Sequence, residues 1–142
     1  MAYEGISEYA SKKLLDHLVG KAAFTMPTDV FVALYNGNPI GAGSELVAPP
    51  ATGYARETMA DTDWVAAAFA SPTTTSTSAT DTDFGVAGAA WGTVDYFAVF
   101  DTITGGQMLF SAPLTASRNV QLNDPVKFPA GSLSVRLKQD TS

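Results

Sequence analysis

The chain has 142 residues, 46% of them hydrophobic, no cysteine and a net charge of −6, so it can build a core without disulfides and offers no thiolate to a metal. Only 15% of residues are charged, against about 25% in an average soluble domain, and the charge is uneven: −1 over residues 1–39, −7 over 40–110 with Arg56 as the only base, and +2 over 111–142. No basic stripe exists to neutralise phosphates, no run of about 18 apolar residues exists to cross a bilayer, and the start MAYEGISEY lacks the pattern of a secretory signal, so nucleic acid and membrane are not expected partners and the chain is expected to be made in the cytosol.

Ile6, Ala10, Leu14, Leu15, Leu18 and Val19 recur at helical spacing, with Ser7 placed as N-cap, Glu8 in the first turn and Gly20 just past the end. The spacing predicts one short amphipathic helix within residues 1–20, and Leu14 and Leu18 on its apolar stripe are candidate partner contacts. Thr28 to Tyr35 is apolar on both alternating sets, as an interior strand is, and Asn36-Gly37-Asn38-Pro39 ends it. Residues 36–53 then form a long Gly/Pro-rich connection without periodicity, a candidate contact loop in which Ile40, Leu46 and Val47 are the expected apolar contacts. Tyr54 to Thr58 alternates as a half-exposed strand, and Trp64 to Phe69 is apolar again. Residues 71–82, SPTTTSTSATDT, cannot make a core and read as an exposed loop or edge strand.

The chain is organised around Trp91 to Leu114. Val94, Tyr96, Ala98 and Phe100 fall on one side of an extended segment and Phe97 and Val99 on the other, so the strand is expected to be buried on both faces. Asp101 to Gly106 supplies a turn and Met108, Phe110, Ala112 and Leu114 resume the alternation, which gives a hairpin. Val120 and Leu122, then Val126 and Phe128, then Leu133, Val135 and Leu137 supply the remaining strands. The sum, about seven or eight strands with turns between them, predicts an all-β fold, an antiparallel β-sandwich or jelly-roll-like domain spanning residues 1–142 with one short N-terminal α-helix.

Catalytic chemistry is hard to find. His17 is the only histidine and lies on the helix without a nucleophile motif, so it reads as a surface or contact residue. The pairs Asp61/Asp63 and Asp81/Asp83 put two carboxylates on one side of a strand or loop, but no glycine and distal glutamate complete a calcium-loop pattern. Gly105-Gly106 has neither the phosphate-loop lysine nor dinucleotide spacing. No enzyme activity, metal or cofactor is expected.

Leu14 to Gly20, Val30 to Tyr35, Gly53-Tyr54-Ala55-Arg56, Trp91 to Val94 with Phe97, Phe100-Asp101, Gly105-Gly106 with Leu109-Phe110, and Phe128 to Leu133 with Val135 together resemble the small virion proteins of tailed bacteriophages that are labelled tail fibre proteins. The resemblance runs in order along nearly the whole chain. It implies a structural protein of the virion, assembled in the host cytoplasm, whose partners are copies of itself and a major capsid or tail protein. The chain shows neither heptads nor internal repeats, so capsid decoration or cementing is the expectation placed first, with a short tail fibre second. A host-adhesion subunit that binds carbohydrate is a further reading, for which Tyr54 and Trp64 are the candidate exposed aromatic platform.

Overall fold

The computed structural model describes residues 5–25, 27–41, 43–46 and 53–138. Its order is β1 (Gly5–Ile6), α1 (Glu8–Leu18), β2 (Asp29–Asn36), β3 (Ser44–Glu45), β4 (Glu57–Ala60), a 3-10 turn at Asp61–Asp63, β5 (Ala68–Ala70), β6 (Thr73–Thr77), β7 (Thr82–Val86), β8 (Gly92–Phe100), β9 (Met108–Val120), β10 (Pro125–Phe128) and β11 (Ser134–Lys138). The fold is all-β and antiparallel with one N-terminal helix, as expected. The largest sheet runs β1-β9-β8-β2, and both β3 and β4 pair along the outer side of β2. Two smaller sheets, β10-β7 and β11-β6-β5, complete it.

β8 is the central strand. It pairs with β2 through Phe31↔Phe100 to Tyr35↔Tyr96 and with β9 on its other side, and its last four residues, Phe97 to Phe100, are all buried. One face carries Val32, Leu34, Phe97, Val99, Leu109 and Ala112 into the main core, which Phe84, Val126, Phe128 and Leu133 complete from β7, β10 and the approach to β11. The other face carries a small cluster of Ala33, Ala98 and Phe100 with Phe31, Tyr35 and Met108 against it. Val94 departs from the expected alternation: it lies in the main core with Phe97 and Val99, not beside Ala98 and Phe100. The cause is a register shift between Val94 and Tyr96, which breaks the two-residue period at Asp95. Asp95 is used there, since its carboxylate accepts the Gly37 N–H at 2.7 Å and so ties the turn after β2 to β8.

Ser7 caps α1 as its sequence position predicts, its hydroxyl accepting the Ala10 N–H at 3.0 Å, and Gly20 follows the helix at φ +78°. The Ser/Thr-rich stretch differs from expectation. β6 is neither loop nor edge but the middle strand of its sheet, paired with β11 on one side and β5 on the other. Threonine's β-branched side chain suits a half-buried pleat, and every residue of β6 is half-buried. The 36–53 connection is also more ordered than its composition suggests where it is described, because β3 pairs Tyr35↔Glu45 and Asn36↔Ser44. A Cβ at Gly43 would collide with the Gly37 backbone, which explains glycine at that crossing.

Candidate functional site

Between α1 and the β11-β6-β5 sheet lies an apolar cleft of about 590 Å³. Ala10 and Leu14, four residues apart and so on one face of α1, form one wall, and Ile6 joins them not from the helix, as its spacing suggests, but from β1, where it pairs with Phe110. Phe24 closes one end: its ring meets Tyr9 edge-to-face at 6.3 Å, and its N–H is accepted by His17 Nδ1 at 3.0 Å, so the only histidine holds the returning chain against the helix. Val99 and Leu109 form the floor, while Trp64, Ser76 and Val135 form the far wall. Trp64 is fixed there by its bridge to Ser78. The rim carries the carboxylates of Asp29 and Asp61, and no lysine or arginine occurs among the described lining residues. A surface of this composition takes aliphatic or aromatic side chains and disfavours an anion.

The far wall continues beyond the cleft. Val135 pairs with Ser76, and two residues along the same sheet face Leu137 pairs with Thr74, which pairs with Phe69. Phe69 is 59% exposed and Leu137 45%.

A second cluster is polar. Arg56 Nε and Nη2 donate to the two oxygens of Glu45 at 2.9 Å each, and Nη1 donates to the Thr102 and Gly105 carbonyls at 3.0 and 2.8 Å. The guanidinium also sits over the Phe100 ring, 3.7 Å from its centroid. Tyr54 donates its hydroxyl proton to Glu45 at 2.7 Å and accepts the Leu34 N–H at 3.1 Å. Burial alone would raise the Glu45 carboxyl, but hydrogen bonds from Arg56 and Tyr54, with the charge of Arg56, outweigh it and hold the group below the ordinary glutamate range. Burial, reinforced by Glu45, raises the Tyr54 phenol. This cluster binds β3, the segment before β4 and the β8–β9 hairpin loop together. The signal for it was the single base among eight acids in residues 40–110 and the lone charge in the Gly/Pro-rich connection.

The expected contacts separate. Leu14 and Trp64 come together in the cleft, and Leu18 is 71% exposed one turn beyond Leu14. Ile40 is half-exposed and lies over Gly5, where a Cβ would collide with its Cδ1. Leu46 is not a free contact: it packs on the main core and donates its N–H to the Leu34 carbonyl at 3.0 Å. Val47 lies outside the described residues. Tyr54 is not an exposed platform either, because its ring stacks on Phe84 at 6.3 Å and meets Trp91 edge-on at 5.6 Å while its hydroxyl is taken by Glu45. Trp64 is half-buried.

The paired acids serve turns. Asp63 accepts the Ala60 N–H at 2.9 Å and the Thr80 hydroxyl at 3.0 Å, Asp81 accepts the Ala130 N–H at 2.9 Å and pairs with Lys127 at 3.2 Å, and Asp83 accepts the Gly85 N–H at 2.8 Å. Among the described residues no group of three or more His, Asp or Glu is placed to hold a metal ion. No described helix is long and apolar enough to cross a membrane.

Compared with known families, residues 5–136 match the model of the family described as Podophage GP4 fiber I protein gp80. A search of curated proteins gave no match.

Proposed function

The chain belongs to this fibre protein family, and from that premise we propose that it is a tail-fibre-type structural subunit of a podophage virion that works without catalysis. The observation that carries the reading is the extent of the match, which takes in β1 through most of β11 and therefore both the cleft and the Arg56 cluster. We place the fibre role ahead of capsid decoration, reversing the order that the lack of repeats suggested, because the family description names a fibre. In this reading residues 1–142 act as one β domain, since the main core draws on α1, β2, β4 and β7 to β10 together. It joins other virion proteins and copies of itself through apolar surface, and the exposed Leu18, Phe69 and Leu137 beside the cleft support that.

Quantitative mass spectrometry of purified virions tests it. A fibre subunit is expected at a few tens of copies or fewer, and hundreds of copies would move the protein to the capsid surface.

A further inference from the structure

α1 sends its apolar side chains to two places. Ala10 and Leu14 face the cleft, whereas Leu15, Leu18 and Val19 protrude at 61%, 71% and 69% exposure. Leu18 is four residues beyond Leu14, so the stripe that lines the cleft runs on into solvent without interruption. Three large aliphatic side chains grouped at one helix end form a contiguous patch, not scattered surface residues.

The charges around the two features are opposite. Lys12, Lys13 and Lys21 flank the protruding side chains with Asp16 as the only acid between them, while the cleft rim carries Asp29 and Asp61 with no base among the described lining residues. The helix end is apolar and basic; the cleft is apolar and acidic. Both lie side by side on one chain, so a single two-fold operation would satisfy both at once, the helix end of each copy entering the cleft of the other.

We propose that the cleft is a self-association site whose occupant is the C-terminal end of α1 from a second copy of this chain, with Leu18 entering the cleft and the lysines meeting the acidic rim. The volume of about 590 Å³ fits a few aliphatic side chains and lies within the roughly 300–1,000 Å³ typical of sites that enclose an apolar ligand. The lysines set the orientation and the leucines supply the burial. The inference names the surface through which the virion-subunit reading has copies of the chain associate.

Sedimentation velocity on the purified full chain tests it. The wild type is expected to be dimeric at about 100 μM. Leu18→Asp, whose side chain is exposed in the single chain, is expected to keep its far-ultraviolet circular dichroism and to weaken association at least about tenfold, because a carboxylate would enter an apolar, acid-rimmed cleft. Asp61→Lys is expected to weaken it as well, and mixing that variant with a Lys12→Glu/Lys21→Glu chain should restore association. A wild type that stays monomeric overturns the proposal. So does a dimer that Leu18→Asp leaves intact and Phe69→Asp dissociates, which would place the interface on the outer strand β5. A chain that dimerises as described but is absent from purified virions would refute the fibre reading and leave this interface standing.

Discussion

Replacing Arg56 by methionine removes the guanidinium while leaving an apolar stem over Phe100, and it separates the polar cluster from its packing. The side chains of Arg56 and Glu45 are 8% and 24% exposed, so the pair is largely withdrawn from water. Breaking a buried pair by removing one partner costs about 3–5 kcal/mol, because the remaining charge loses its counter-ion. Glu45 keeps the Tyr54 hydrogen bond at 2.7 Å and some access to solvent, which places the cost at the lower end, about 3 kcal/mol. That corresponds to a fall of about 10 °C in melting temperature for a chain of this size. The assay is urea unfolding of wild type, Arg56→Met, Glu45→Gln and the double variant, with a coupling energy of about 1–2 kcal/mol expected between the two sites. Backbone amides around the loop at Asp101–Gly106 should also exchange faster, since Thr102 and Gly105 lose their donor. A loss below about 1 kcal/mol, or additivity of the two single changes, would show that water screens the pair and that the cluster does not hold the hairpin loop.

Phe97 is fully buried in the main core, so Phe97→Ala should cost about 3–5 kcal/mol, and an unchanged urea midpoint would mean that β8 is not the structural centre. Ser7→Ala should cost about 1 kcal/mol through loss of the cap on Ala10, read as a lower melting temperature with the fold retained. The Glu45 carboxyl is held below its ordinary range when folded, so the unfolded chain binds its proton first as pH falls; the stabilisation is complete above the unfolded pKa of about 4.3 and is lost as pH drops from there through the folded value. Urea midpoints measured between about pH 7 and pH 3 should therefore fall more steeply at the acid end for wild type than for Glu45→Gln, and parallel curves would contradict the assignment.

The parts of the fold legible in the sequence are those whose signal is local. Apolar residues on both faces of β8 marked it as central, and Ser7 with Gly20 bounded the helix, because cap and periodicity lie within one element. The face that Val94 takes is not legible in the alternation, because a register shift changes faces without altering composition. The five Ser/Thr residues of β6 show no apolar alternation and so suggest a peripheral segment, and only the pairings to β5 and β11 reveal where they sit. Tyr54 reads as an open aromatic in the sequence, but in the fold Glu45, nine positions away, takes its hydroxyl and Phe84 and Trp91 cover its ring. The cleft had no sequence signature of its own: Leu14, Phe24, Trp64, Val99 and Val135 come from five separated segments and share only a place in space.

The central claim is that this chain is a fibre-type component of the virion, and the most direct measurement is to locate it on the particle. Gold-labelled antibody against the purified chain, imaged on intact virions by electron microscopy, should mark the tail at a small number of positions and leave the capsid bare. Label spread over the capsid, with the tail unmarked, would contradict the account.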